Sequence, residues 1–174
     1  VRSSMDRQEA LTMTYAGLWN RIIIPVLVTN DKGGSKEFPG LIDTGATNTC
    51  VSAELAAELG LISVGKTETG TAGGKTKVDV YIADLSLCQG RVHFPKHKVL
   101  CVNLTEQPNV GLLIGMDILI RGDFALTNHK GKTVASFRVP SQVTYDFVPQ
   151  ADNANRFAAE KAKREANKAR KKGR

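Results

Sequence analysis

Leu41-Ile42-Asp43-Thr44-Gly45-Ala46-Thr47 joins the end of an apolar run to a carboxylate, a hydroxyl and a glycine in immediate succession. Gly45 permits a backbone turn that a side chain would strain, and Asp and Thr are themselves turn formers. Alone, the segment reads equally as a turn or as a site, so its surroundings have to decide. Upstream, Arg21 to Thr29 reads as a strand, broken by the loop Asn30 to Ser35, and Phe38 to Ile42 is a second strand that delivers Asp43. Downstream, Ser52 reads as an N-cap, Leu55 and Leu59 stand four apart and Gly60 closes the segment, which predicts one short helix.

From Val64 to Leu87 two extended arms flank Gly70-Thr71-Ala72-Gly73-Gly74. The second arm alternates through Val78, Val80 and Ile82, then shifts phase near Ala83 to Leu85 and Leu87. Alternation around a glycine-rich tip predicts a long β-hairpin with a mobile end. Val92 to Val102 is a strand pair or a bent strand, and Gly111 to Ile114 is a short strand. Met116 to Ile120 starts a second short helix that Gly122 closes, and Phe124 to Thr127 pairs with Thr133 to Val139 across His129 to Lys132. Nothing repeats at a fixed period. The expected fold class is all-β, a small closed barrel with one or two short helices.

The chain has 174 residues and a net charge of +7, from 24 Lys and Arg against 17 Asp and Glu. Residues up to Gln150 hold 15 basic and 14 acidic side chains, and the remainder hold nine and three, so the body is nearly neutral and the tail carries +6. These need separate explanations. The expected organisation is an N-terminal extension over 1–16, one barrel domain over 17–150, and a basic helical or disordered tail over 151–174. A body of this size supports one core. The longest apolar run, Ile22 to Val28, includes Pro25 and falls far short of the roughly 20 residues that span a bilayer. No membrane partner is expected. Val1 to Gln8 lacks the apolar stretch of a signal peptide, and Val1 to Ser4 ahead of Met5 reads as a processed end. Cys50, Cys88 and Cys101 are odd in number and wrongly spaced for zinc, so they read as reduced and buried, which points to the cytoplasm. In the tail, Glu160 with Arg164 and Glu165 with Lys168 support a solvated helix by a few tenths of a kcal/mol, roughly, per pair. It needs no partner, although a weak, salt-sensitive polyanion contact is a second reading.

The order Asp43-Thr44-Gly45-Ala46, then hairpin, then Leu112-Leu113-Ile114-Gly115-Met116-Asp117-Ile118-Leu119 resembles the retropepsin-like, or retroviral-type, aspartic proteases in a non-viral or bacterial-type form. The resemblance covers Arg21 to Val139. It implies an aspartic endopeptidase acting on an extended polypeptide, with no metal and no cofactor. Larger relatives carry two Asp motifs in one chain, whereas this chain has one, so the resemblance implies a homodimer with Asp43 from each copy across a two-fold axis. Two carboxylates held that close share one proton and titrate as a pair, a behaviour for which aspartic proteases are the standard illustration. One takes a proton from water while the other protonates the carbonyl oxygen. The resemblance further implies that Thr44 hydrogen-bonds across the axis, that Gly45 offers its carbonyl to substrate backbone and that Ala46 keeps the wall small. Gly70, Thr71, Ala72, Gly73 and Gly74 would be the tip of a flap, with Leu113 and Ile114 lining the pocket.

The sequence departs from the retroviral pattern in two places. Retroviral enzymes carry an acidic residue after the Asp-Thr-Gly-Ala and an Arg after the later Gly, where this chain has Thr47 and Met116. Thr71 and Ala72 replace the isoleucines of viral flaps. These departures keep open an alternative, a non-catalytic retropepsin-fold dimerisation or peptide-binding module whose basic tail contacts nucleic acid or an acidic partner. Other signals read as structural. Gly74-Lys75-Thr76 lacks the earlier glycine and the following helix of a phosphate loop. His93 and His97 are separated by Pro95, which breaks the helix a zinc-binding pair needs, and both read as surface residues. Asp117 reads as favourable to a helix dipole, and Cys50 as an inward-facing core residue.

Overall fold

The computed structural model describes residues 7–71 and 74–172. Its centre is a ring of six strands. β2 (Ile23–Thr29) pairs antiparallel with β3 (Ser35–Ile42), and β3 runs parallel to β8 (Leu112–Ile114). β8 pairs antiparallel with β4 (Cys50–Ser52), which runs parallel to β7 (Val92–Val102). β7 pairs with β6 (Gly74–Leu87), and β6 returns to β2 through Val26 opposite Leu87, which closes the barrel. Of the seven strands in this sheet, β5 (Gly65–Thr71), hydrogen-bonded to the first half of β6, lies outside the ring. The all-β closed barrel expected from the sequence is therefore the fold.

The alternation in β2 shows why the ring forms. Ile24, Val26 and Val28 are almost completely buried while their neighbours are half-buried, as strand geometry requires. Each such side chain contributes about 1.5–3 kcal/mol when fully buried. Val51, Leu85, Leu87, Val92, Val99, Leu112 and Ile114 meet them from the other strands. Gly40 lies where β3 passes β2 closely, since a Cβ there would sit 2.7 Å from the Val26 side chain.

The predicted first helix is α1 (Ala53–Glu58), with the Ser52 hydroxyl accepting from the Leu55 N–H at 3.1 Å and Gly60 at φ +60° beyond its end. The second is the short α2 (Met116–Leu119). The phase shift expected near Ala83 is a register break between Ala83 and Leu85. Its counterpart on β7 is Lys96, at φ +49°, whose N–H donates to Asp84 Oδ1 at 2.7 Å. Pro95 and Lys96 both face solvent, so alternation resumes one residue late. His97 consequently points inward and is only 6% exposed. That corrects its reading as a surface residue; His93, before the bulge, is exposed.

A second, three-stranded sheet has the order β1 (Glu9–Tyr15), β10 (Thr133–Val139), β9 (Asp123–Thr127). The expected hairpin of β9 and β10 is present. The segment expected as an N-terminal extension contains β1, which pairs with β10 along its whole length and buries Leu11. Its signal was the alternation of Leu11, Met13 and Tyr15. The Tyr15 hydroxyl donates to the Ile23 carbonyl at 2.8 Å, tying this sheet to the barrel.

Residues 1–142 and 143–174 are separate compact units. The second unit contains α3 (Val148–Lys172), whose first turn is capped by Asp146 Oδ1 accepting from the Val148 N–H at 3.0 Å. Val148 to Gln150, expected to close the barrel domain, are the start of this helix. Lys161 and Glu165 approach to 4.0 Å along its surface. Among the described residues, no helix is long and apolar enough to cross a membrane.

Candidate active site

Asp43 leaves the end of β3 with its N–H donating to the Ile114 carbonyl at 3.0 Å, so the parallel pairing of β3 and β8 continues into the loop. The chain then folds back on itself. Asp43 Oδ1 accepts from the Gly45 N–H at 2.9 Å, and the Ala46 N–H donates to the Asp43 carbonyl at 3.2 Å. The turn is therefore present, and it fixes the carboxylate. Asp43 and Ala46 are half-buried, while Thr44 and Gly45 are exposed.

This loop floors a cleft of about 1070 Å³. Asp43, Gly45 and Ala46 lie on one side, Glu68, Thr69, Gly70, Thr76 and Val78 of the β5–β6 hairpin on another, and Asn103 to Gln107 on a third. Leu113 lines the cleft. Ile114, expected beside it, is fully buried in the barrel core, because adjacent strand residues face opposite sides. Thr44 does not line the cleft in the single chain. At the hairpin end Thr71 pairs with Gly74, while Ala72 and Gly73 lie outside the described residues.

Beneath the loop, β8 and α2 hold it from below. The Met116 N–H donates to the Ala46 carbonyl at 2.8 Å and the Asp117 N–H to the Thr47 carbonyl at 3.1 Å. Gly115 makes this approach feasible, since a Cβ there would lie 2.5 Å from the carbonyl carbon of Asn48 and 2.8 Å from the Thr49 nitrogen. The apolar-Ile-Gly-x-Asp segment therefore has a local reason for its glycine. Its aspartate also has one. Asp117 accepts from the Thr49 N–H at 2.9 and 3.0 Å and from the Thr49 hydroxyl at 2.7 Å, and it meets His97 Nε2 at 3.1 Å. Burial, the largest influence, opposes ionisation of Asp117, but the hydrogen bonds from His97 and Thr49 outweigh it and hold the carboxyl below its ordinary range. Asp117 is structural as expected, through these bonds more than through a helix of four residues.

Thr47 and Met116 occupy the places of the retroviral charge pair. Thr47 is exposed and Met116 packs against the core, so neither position strands a charge. Cys50, expected to face the core, is buried instead on the cleft side of the barrel wall, opposite Leu113 and beside Val80 and Leu100; burial, then the charges of Asp117 and Asp43 and the neighbouring Cys101, push its thiol up to about 12. It stays protonated at neutral pH. Cys88 is buried too, but Cys101, expected buried, is half-buried at the end of β7. Thr49 and His97 carried no recognisable sequence signal: one is an ordinary strand-forming residue, and the other depends on a bulge set by backbone conformation.

A closed barrel with an Asp-Thr-Gly turn flooring a cleft is the architecture of a single-lobed acid protease. The chain belongs to the aspartyl protease family, whose profile matches residues 24–118, from β2 to α2. Among solved structures, a retropepsin-like aspartic protease from Rickettsia conorii is similar at 19% identity and a TM-score of 0.48, covering 76% of this chain and 96% of that one. The EIAV protease complexed with the inhibitor HBY-793 is similar at 21% identity and a TM-score of 0.44, covering 59% and 90%. The retroviral protease-like domain of Ddi1 from Leishmania major is similar at 17% identity and 0.34, covering 60% and 77%. A search of curated protein sequences matched nothing.

Proposed function

We propose that the chain is an aspartic endopeptidase that works as a homodimer, with Asp43 of each copy forming the catalytic pair. The observation that carries this reading is the Asp43 loop, whose carboxylate is fixed by the Gly45 N–H at the floor of the cleft. One such loop per chain supplies one carboxylate, and acid–base hydrolysis of a peptide needs two in different protonation states. A two-fold axis beside Asp43 completes the site with no further residue type. The exposure of Thr44 and Gly45 supports their facing a second copy and the substrate backbone.

In this reading one Asp43 carboxylate removes a proton from the attacking water while its protonated mate donates to the carbonyl oxygen. The proton taken from water then passes to the leaving nitrogen as the C–N bond breaks, while the mate recovers a proton from a hydroxyl of the tetrahedral intermediate as the carbonyl re-forms, and the pair returns to its shared state. The β5–β6 hairpin is the flap, with Gly70, Thr71, Ala72, Gly73 and Gly74 at or beside its tip. It closes over an extended peptide and excludes water. Main-chain pairing supplies affinity and alternate pockets supply selectivity, with Leu113 on the pocket wall.

Incubation with an unstructured protein such as casein, from acidic to neutral pH, tests the reading. The expected result is pepstatin-sensitive cleavage that falls by about 10²–10⁴-fold in Asp43→Asn, with circular dichroism unchanged. Cleavage that survives the substitution would refute the assigned pair. Binding of peptides without cleavage by the wild-type chain would favour the non-catalytic module.

A further inference from the structure

His97 has no part in the hydrolysis described above, yet it is directed at the base of the catalytic loop by a deliberate local distortion. The positive φ of Lys96 turns it inward from β7, and its ring packs beside Phe94 with centroids 6.1 Å apart. Its Nε2 reaches Asp117 Oδ2 at 3.1 Å. Asp117 is an acceptor for both the N–H and the hydroxyl of Thr49, so the imidazole nitrogen facing it carries the proton and donates. The Thr49 hydroxyl, having donated to Asp117, accepts from the Gly115 N–H at 3.1 Å. Thr49 is fully buried, and its carbonyl accepts from the Leu100 N–H at 3.1 Å. The hydrogen bonds run unbroken from β7, through α2, to the end of the loop that begins at Asp43.

Resting on the proposed peptidase reading, we infer that His97 is a positioning residue: by donating to Asp117 it locks the carboxylate that clamps Thr49 and thereby sets the Asp43 loop. Among the described residues no other side chain donates to the Asp117 carboxylate on this side, since Arg121 Nε binds the Asp117 carbonyl. Without the imidazole donor, the carboxylate, 24% exposed, rotates toward water. The buried N–H and hydroxyl of Thr49 then lose their acceptor, and the loop loosens from β8. Catalytic groups need to be held to a fraction of an ångström, so a loosened base reduces turnover more than substrate binding.

Three single variants of the full chain test this. His97→Leu fills the space without a donor, His97→Gln restores a donor where Nε2 stood, and Thr49→Val breaks the same chain of bonds from the loop side. Amide hydrogen exchange is the readout independent of activity. In His97→Leu and Thr49→Val, the backbone amides at positions 49 and 115 are expected to exchange at least about tenfold faster than in the wild type. Those of Val26 and Val28 should be unchanged, and His97→Gln should behave as wild type. In peptide hydrolysis, His97→Leu is expected to lower kcat about tenfold or more with KM nearly constant, and combining it with Thr49→Val should add little. The inference is overturned if Thr49 exchange is unchanged in His97→Leu, if all amides accelerate together, or if His97→Gln fails to rescue. A wild-type chain that cleaves nothing sinks the peptidase reading, while the exchange result still judges the role of His97.

Discussion

At the scale of single residues, the loop that carries Asp43 depends on what lies beneath it more than on its own sequence. Gly115 is a tight point beneath it, because any Cβ there meets the backbone of Asn48 and Thr49 rather than a movable side-chain end. Gly115→Ala is expected to destabilise the protein by about 1–3 kcal/mol and to reduce peptidase activity further than that loss explains, measured by urea unfolding alongside initial rates. A stability within error of wild type would contradict the geometry. Asp43 and Gly115 could be found in the sequence because each is forced by local chemistry. Ile114 was misplaced because the same motif contains both faces of a strand, and only the register of β8 between β3 and β4 says which side chain meets the cleft. His97 was illegible for a related reason: Pro95 announced an interruption, but the inward turn follows from the left-handed backbone at Lys96.

At the scale of elements, strands with clean alternation and a glycine-marked end were legible, as β2, β3, β6 and α1 illustrate. β4 was not, being three residues long and stabilised by its neighbours on both sides. The second sheet has its own fastening. Asp123, at the start of β9, accepts from the Ser141 hydroxyl, the Arg138 guanidinium and the Gln142 N–H just beyond β10. The Ser141 bond first, then those from Arg138 and Gln142, bring its carboxyl down to about 2 from an ordinary 3.8. A carboxyl lowered by folding stabilises the protein above its unfolded value and loses that contribution as pH falls toward the folded one. Asp117 has the same sign. The melting temperature is therefore expected to drop as pH is lowered from about 4 to about 2, and Asp123→Asn should flatten that slope. An unaltered slope in Asp123→Asn would show that the clip is not coupled to folding.

At the scale of the whole molecule, charge and chemistry divide along the chain. The family match ends at Ile118, while β9, β10 and β1 complete the body around it and the basic excess belongs to the region beyond Gln150. The composition therefore foretold two regions, but the place of the division depended on where α3 starts, and a helix with few apolar residues gives no sharp sequence boundary. If two copies share the active site, specific activity is expected to fall as the enzyme is diluted, because the competent species is lost by mass action. Parallel sedimentation measurements check this, and constant specific activity in a sample shown to be monomeric would exclude the shared site.

The pairing of β3 with β8 has one further consequence, which concerns biosynthesis. On one edge Gly40 and Leu41 pair with nearby β2, but on the other Gly40, Leu41 and Ile42 pair with Leu112, Leu113 and Ile114, so the floor of the cleft is assembled from segments far apart along the chain. Contacts of that separation form late and slowly. A nascent polypeptide that has not yet released Asp117 from the ribosome can expose Asp43 without being able to seat it, so the loop is set only once nearly the entire barrel has been translated.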